Sequence, residues 1–290
     1  MNSLQILFPN SLTEAISLLE RYGEEAKVIA GGQSLVPMMN LGLFSPRYLV
    51  DLNRIPELRE IRAEKHMLSI GALATHTAVA ASQKAKEKSP VLVEVARQIG
   101  DVQVRSRGTI GGSISHADPT ADYPAGVLAA AASMRVVGPN GERLIPAEKF
   151  FVDAFQTSME RNEVLTSVSV PESPPSSGAV YQRLFYVHGA FPVVGVAAVV
   201  TMRGKVVDRV GIGLTAVGPT ALRPNKAENA LLGKMPNADN LEKASILASE
   251  ATNPTSDIHA SAEYKKDMVR VFTRRALEVA VARASDGGKA

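Results

Sequence analysis

Two glycine-rich stretches decide how this chain can fold: Ala30–Ser34, which reads AGGQS, and Gly108–Pro124, which reads GTIGGSISHADPTADYP. The first directly follows the apolar run Val28–Ala30, which is typical of a short strand. The second contains three glycines and two prolines among small polar residues, and we expect it to be a loop. The N-terminal half of the chain is therefore organised around two tight, glycine-rich connections.

Glycine-rich connections of this kind allow two interpretations. Without a side chain, the backbone can approach a ligand closely and point successive N–H groups into a concave surface, which binds pyrophosphate without a cationic residue. Serine and threonine hydroxyls add donors for the same anion. The other interpretation is a pair of ordinary tight turns. Ala30–Ser34 and Thr109–Ser113 lie about eighty residues apart, and their pairing within one domain keeps the ligand hypothesis open beside the simpler one.

Short helices and short strands alternate around these stretches, which indicates an α/β or α+β fold. Ser11 and Thr13 are candidate N-caps of a helix that ends near Gly23. The turn Pro139–Gly141 predicts a hairpin. The other predicted elements are strands at 48–51 and 68–71, helices at 75–81, 90–99 and 123–132, and hairpin strands at 134–137 and 142–145.

A proline- and serine-rich cluster, Pro171–Gly178, cannot continue a helix or a central strand. We place a domain boundary there, between residues 1–172 and residues 178–290. Beyond it, the Val- and Ala-rich runs Pro192–Met202 and Val206–Val217 predict an antiparallel hairpin. Three further helices are predicted at 226–232, 240–251 and 262–283.

Composition excludes several classes of function. The chain has 290 residues, a net charge of +3 and no run of five like charges, so neither nucleic acid nor an anionic membrane is an expected partner. We predict no transmembrane segment and no secretory signal, hence a cytoplasmic location. The absence of cysteine excludes thiolate-ligated zinc and iron–sulfur clusters within the chain. Redox chemistry here must use a bound organic cofactor or an ordinary metal.

Other motifs of chemical function are either absent or lack the structural context that they require. Gly211–Ala216 matches the G-x-G-x-x-A dinucleotide pattern, but Val217–Pro219 stands where the helix of that motif must begin. The sequence contains neither a P-loop nor a G-x-S-x-G nucleophile elbow. Its five histidines include no i,i+4 pair, so we predict no metal site. We also assign no catalytic residue to this chain.

Longer segments around the glycine-rich stretches carry a family resemblance. Ala30–Leu52 reads AGGQSLVPMMNLGLFSPRYLVDL, and Arg107–Ala125 reads RGTIGGSISHADPTADYPA. These two segments, with Asn162–Pro171 and Ala262–Leu277, resemble the FAD-binding medium subunit of the molybdenum hydroxylases, the family of carbon monoxide dehydrogenase and xanthine dehydrogenase. The resemblance spans nearly the whole chain. It implies an α+β protein: an FAD-binding fold of the vanillyl-alcohol oxidase type, in two α/β subdomains that meet near residues 55–60, then an α+β C-terminal domain with an antiparallel sheet and helices.

The resemblance also implies which residues contact FAD. Two sets would wrap the pyrophosphate from opposite sides. Asp122 would hydrogen-bond the ribityl chain or the flavin, Leu165 would pack on the isoalloxazine, and Arg183 would stand where the family often has a lysine. A carboxylate suits the ribityl hydroxyls as an acceptor, whereas it would repel the pyrophosphate. The pyrophosphate sets are Ala30, Gly31, Gly32, Gln33 and Ser34, and Thr109, Ile110, Gly111, Gly112 and Ser113; Leu35, next to the first set, is a further cofactor-binding residue.

Two places leave the assignment open. Asp122, like Asp118, has an alternative role in capping the surrounding loop. The segment Tyr186–Pro192 departs from the family, whose members commonly show basic residues and then Gly-Asp before an aromatic or apolar residue. Here the basic positions are largely apolar and Ala190 replaces the acid, while Phe191 remains as an aromatic wall for the flavin.

By resemblance, the chain is a non-covalent FAD-binding electron-transfer subunit. It would take electrons from a small partner with two [2Fe-2S] clusters, within a complex that also contains a large molybdopterin subunit, assembled as a dimer of heterotrimers. Two alternatives remain: a self-sufficient flavin oxidase of the vanillyl-alcohol oxidase type, and a cofactor-free binding subunit whose glycine-rich stretches are only turns. The sequence fixes neither the organic substrate nor the final electron acceptor.

Overall fold

A computed structural model describes residues 4–286. The extreme ends of the predicted domain ranges, residues 1–3 and 287–290, lie outside the described residues. No helix in the described range is both long and apolar enough to cross a bilayer.

The chain begins with a small parallel sheet. Ser11 caps its first helix, as predicted, with Oγ accepting from the N–H of Glu14 at 3.2 Å. That helix buries Ala15 and Leu19 in the same cluster as Val50, the fully buried centre of the middle strand. In spatial order β1-β3-β2, the unit comprises β1 (Gln5–Leu7), α1 (Leu12–Tyr22), β2 (Ala26–Ile29), α2 (Leu35–Asn40) and β3 (Tyr48–Asp51).

A five-stranded antiparallel sheet follows, after short 3-10 turns at Leu52–Arg54 and Pro56–Arg59. Its strands are β4 (Ile61–Glu64), β5 (Met67–Gly71), β6 (Ser133–Gly138), β7 (Gly141–Pro146) and β10 (Val164–Pro171), in the order β4-β5-β10-β6-β7; β8 (Phe151–Asp153) and β9 (Gln156–Thr157) form a separate hairpin. The associated helices are α3 (His76–Ala81), α4 (Gln83–Lys88), α5 (Pro90–Gln98), α6 (Val102–Arg107), α7 (Ile110–His116), α8 (Asp122–Ala129) and α9 (Ala147–Phe150).

The prediction of a continuous loop over 108–124 is wrong. Most of it is helical. Thr109 caps α7, and Gly111 packs against the segment that follows β5, where a Cβ on Gly111 would lie 2.7 Å from the carbonyl oxygen of Ala72. The last three residues, from Asp122, begin the wholly buried helix α8. Tertiary packing here outweighs the low helix propensity of glycine.

The C-terminal part has a three-stranded antiparallel sheet. The predicted hairpin is confirmed, and a third strand that the sequence did not reveal pairs with its first strand. The elements are β11 (Ser177–Leu184), β12 (Val194–Arg203), β13 (Val206–Thr215), α10 (Asn225–Leu231), α11 (Ala238–Glu250) and α12 (Ala262–Ser285). Gly178 in β11 lies directly under α12, because a Cβ there would be 2.8 Å from the Cβ of Arg283. Helix α8 packs against β12 and β13, so the C-terminal sheet lies beside the glycine-rich region.

Candidate functional site

The two glycine-rich stretches lie side by side. Gly31 has no room for a side chain, since a Cβ there would lie 2.8 Å from the Cα of Gly108 and would overlap the carbonyl oxygen of Arg107. A Cβ on Gly112 would lie 3.8 Å from the Cβ of Ala30. The fold thus joins residues about eighty positions apart in the sequence into one surface.

The first stretch presents backbone N–H groups. Gly32 has φ +72°, in the left-handed region that favours glycine. Within residues 4–286, the N–H groups of Gly32, Gln33 and Ser34 donate to no backbone acceptor. The side-chain amide of Asn53 donates to the carbonyl oxygen of Ala30 at 2.9 Å and fixes the start of the stretch. Successive N–H groups of this kind form an anion-binding concavity.

The second stretch uses its N–H groups internally. Oγ1 of Thr109 accepts from the N–H of Gly112 at 3.0 Å. The N–H groups of Ile110 and Gly111 donate to carbonyl oxygens of the segment that follows β5, at 3.0 and 2.9 Å. This stretch therefore contributes a close wall of small residues, with the half-buried hydroxyl of Ser113 at its edge, rather than a second set of N–H donors.

His76 packs against Gly108, at the start of the second stretch. Its backbone N–H donates to the carbonyl oxygen of Gly108 at 3.0 Å, and its ring leaves no room for a Cβ on that glycine. The ring centroid lies 5.4 Å from that of Tyr123. Burial, and secondarily the positive charge of Arg105, lowers the pKa of His76 to about 4. The imidazole is therefore neutral at pH 7.

A buried polar cluster surrounds Asp122, at the start of α8. Nη1 of Arg183 lies 3.2 Å from Oδ1 of Asp122, and the hydroxyl of Tyr181 donates to the same oxygen at 2.6 Å. The Asp122 and Arg183 side chains are only 4% and 3% exposed. Burial raises the pKa of Asp122 to about 6, while the charge of Arg183 and the Tyr181 hydrogen bond oppose that rise. Asp118, by contrast, caps its own loop by accepting from the N–H of Thr120 at 2.8 Å.

Arg183 has donor capacity left over. Nη1 also donates to the carbonyl oxygen of Ala190 at 3.1 Å, and the guanidinium carbon lies 5.1 Å from the ring centroid of Phe185. Within the described chain, its buried Nε has no hydrogen-bond partner. An unpaired buried donor is costly, so this atom indicates a place for an acceptor that the protein does not itself supply.

Leu165 lies apart from that cluster. It is buried in β10, opposite Val136, at an irregularity in the strand pairing. The carbonyl oxygen of the next residue, Thr166, accepts from the N–H of Ala72 at 2.9 Å. The carbonyl oxygen of Ala72 in turn accepts from the N–H of Gly111. Leu165 is thereby linked through the backbone to the second glycine-rich stretch, while its side chain belongs to the hydrophobic core.

Sequence reasoning missed several residues of this region. Tyr181 contacts Asp122 directly, and Thr215 holds the preceding turn, because its Oγ1 donates to the carbonyl oxygen of Ala121 at 2.7 Å. Tyr181 and Arg183 are two residues apart on β11 and so share one face of the strand. That period-two spacing would have paired them if the strand had been recognised.

The segment that follows β11 is unusually apolar for its exposure. Tyr186, Val187 and Phe191 are between 61% and 71% exposed, and Phe185 is 41% exposed. The segment remains connected to the buried cluster through the bond from Arg183 to the carbonyl of Ala190. No group of three or more His, Cys, Asp or Glu residues suited to a metal ion occurs in the part of the chain described.

Known proteins similar to this chain cover it almost completely. It is 40% identical to the carbon monoxide dehydrogenase medium chain of Hydrogenophaga pseudoflava, over 96% of each chain. It is 36% identical to 6-hydroxypseudooxynicotine dehydrogenase complex subunit alpha of Paenarthrobacter nicotinovorans, over 97% of this chain and 96% of the other. A chain in the solved structure of carbon monoxide dehydrogenase from Hydrogenophaga pseudoflava superposes with a TM-score of 0.95, at 41% identity, over 97% of this chain and 98% of that one.

Two family profiles divide the sequence between them. The profile described as the FAD binding domain in molybdopterin dehydrogenase matches residues 2–173, and that of the CO dehydrogenase flavoprotein C-terminal domain matches residues 179–280. The family, the fold class and the FAD cofactor expected from the sequence are thereby confirmed. This chain belongs to the family of FAD-binding medium subunits of molybdenum-containing dehydrogenases.

Proposed function

We propose that this chain carries FAD in a multi-subunit molybdenum-containing oxidoreductase, and that it passes electrons from a [2Fe-2S] partner to an external acceptor. The relatives are named as medium chains or as subunits of dehydrogenase complexes. The observation that carries the proposal is the joining of the two glycine-rich stretches into one surface, where the N–H groups of Gly32, Gln33 and Ser34 donate to no backbone acceptor within residues 4–286. Bound FAD would supply two-electron redox chemistry that no side chain provides.

The residues present fit this cofactor. Ala30–Ser34 would hold the pyrophosphate through backbone N–H groups, with Leu35 beside them as a further cofactor-binding residue, and Thr109–Ser113 would close over it from the other side. Asp122 would accept from the ribityl hydroxyls or the flavin, and the unpaired Nε of Arg183 would donate to a flavin or ribityl acceptor. Leu165 would shape the wall of the isoalloxazine pocket.

The proposed partners rest on the resemblance to the molybdenum hydroxylases. It implies a small subunit with the [2Fe-2S] clusters that reduce the flavin and a large molybdopterin subunit with the substrate site. The absence of cysteine from this chain is consistent with clusters held by a partner. We propose a dimer of these heterotrimers in the cytoplasm. We also propose that residues 1–172 form the FAD-binding domain, with its subdomain boundary near 55–60, and that residues 178–290 form the C-terminal domain.

Purification with and without the partner subunits tests the proposal. We expect the native complex to contain this chain with an iron–sulfur subunit and a molybdopterin subunit, and to release one FAD per copy of this chain on denaturation. A complex without FAD would support the cofactor-free alternative. Substrate oxidation by this chain alone, with FAD bound, would support the self-sufficient oxidase.

A further inference from the structure

Tyr181 connects the C-terminal sheet to the carboxylate of the FAD site. Its hydroxyl donates to Oδ1 of Asp122 at 2.6 Å, across 59 positions of sequence, and its side chain is only 2% exposed. On its other side, its backbone N–H donates to Oε2 of Glu94 at 2.8 Å, and Glu94 pairs with Arg283 of α12. The backbone of Tyr181 is therefore held by Glu94, and its hydroxyl is held by Asp122.

The strands beside Tyr181 leave space for its hydroxyl and hold the turn before Asp122. A Cβ on Gly195, in β12, would lie 2.6 Å from the Tyr181 hydroxyl oxygen, so only glycine admits the tyrosine in this position. Thr215, in β13, donates to the carbonyl oxygen of Ala121 at 2.7 Å. All three strands of the C-terminal sheet thus contribute to placing a residue of the FAD-binding part.

We propose that Tyr181 is a positioning residue of the FAD site, whose hydroxyl engages Oδ1 of Asp122 and so orients the carboxylate, leaving Oδ2, which lies 3.5 Å from Nη1 of Arg183, as the oxygen for the cofactor. This inference rests on the proposed function, because Asp122 acts on FAD only if FAD binds there. The proposal assigns Tyr181 no contact with the reacting part of the cofactor. It acts through Asp122, and it gives the C-terminal domain a direct part in cofactor binding.

The charged and titratable groups around Asp122 determine how FAD binding should depend on pH if Tyr181 has this role. Arg183 and Tyr181 face it from β11, and Tyr123 adjoins it on α8, its own pKa raised by burial and by the charge of Asp122. Burial raises the pKa of Asp122 to about 6, and the Tyr181 hydrogen bond opposes that rise. Removal of the hydroxyl therefore moves the pKa of Asp122 further upward. FAD binding that depends on the ionised carboxylate is then lost at a higher pH.

Tyr181→Phe tests the inference, with Tyr264→Phe as the control, because Tyr264 is 46% exposed on α12. The dissociation constant of FAD is measured by flavin fluorescence between pH 5 and pH 8. We expect wild-type affinity to fall as the pH drops through about 6. In Tyr181→Phe we expect the midpoint of that fall to move upward by about one pH unit, equivalent to about 1.4 kcal/mol, while Tyr264→Phe retains the wild-type midpoint.

A merely structural tyrosine would weaken FAD binding equally at every pH, so an unchanged midpoint in Tyr181→Phe would overturn the inference while leaving the proposed function intact. Gly195→Ala gives a second test, since it displaces the hydroxyl without removing it and should also raise the midpoint. If Tyr181→Phe does not fold, an unchanged midpoint in Gly195→Ala overturns the inference instead. Failure of the wild-type chain to bind FAD at any pH would overturn the proposed function as well.

Discussion

One methyl group on Gly31 should separate the two halves of the FAD site. Carbon atoms normally approach one another to about 3.5–4.0 Å, whereas a Cβ on Gly31 would lie 2.8 Å from the Cα of Gly108. The obstructing atoms are backbone and cannot rotate aside, so the stretches must part by roughly 1 Å. The cofactor-free chain relieves this overlap by separation of the stretches, but FAD in the proposed placement requires both stretches together. Overpacking of this kind costs about 1–3 kcal/mol, which corresponds to FAD binding weakened roughly 5- to 150-fold.

Calorimetric titration of FAD into the cofactor-free Gly31→Ala chain measures this loss directly. Gly218→Ala is the matched control, because a Cβ at Gly218 meets nothing closer than the carbonyl oxygen of Thr220 at 3.6 Å. Circular dichroism establishes that both variants are folded. Wild-type affinity in a folded Gly31→Ala chain would refute the placement of FAD between the two stretches.

The remaining predictions concern cofactor choice and pH. The chain should bind FAD more tightly than FMN, because two apposed stretches suit a pyrophosphate better than a terminal phosphate, and equal or tighter FMN binding by calorimetry would contradict this. Asp122→Asn should weaken FAD binding at pH 7 and remove its pH dependence near pH 6, as measured by flavin fluorescence. Because burial raises the pKa of Asp122 to about 6, above the ordinary 3.8, its contribution to folding stability is fully present below pH 3.8 and lost as the pH rises through 6. Denaturant unfolding of the cofactor-free chain should show this decline in the wild type but not in Asp122→Asn.

Local signals made much of the fold predictable. Ser11 identifies the start of α1 because its side chain caps the first turn. The β6–β7 hairpin follows from the turn residues Pro139–Gly141, with Gly141 at φ +103°. By contrast, β11 begins in the serine-rich cluster at Ser177 and carries polar residues, and only its pairing with β12 makes it a strand. Its omission also hid the spacing of Tyr181 and Arg183.

Part of the candidate site was likewise predictable from local sequence, and part was not. Glycine pairs at 31–32 and 111–112 are visible in the sequence, and a family resemblance indicates their ligand. That the second pair lies in a helix depends on its packing against Ala72, which no local pattern records. The ion pair of Asp122 with Arg183 joins residues 61 positions apart. Only the tertiary structure shows that Tyr181 completes this pair.

The most direct test of the central claim is the rate of flavin reduction with and without the partner subunits. Stopped-flow absorbance would follow the bound flavin after the organic substrate of the native complex is added. We predict negligible reduction in the isolated chain, because its sequence predicts no catalytic residue that would act on a substrate. We predict rapid reduction once the cluster-bearing and molybdenum-bearing subunits are restored, since this chain has no cysteine to ligate a cluster itself. Rapid substrate-driven reduction of the isolated chain would contradict the account and identify a self-sufficient oxidase.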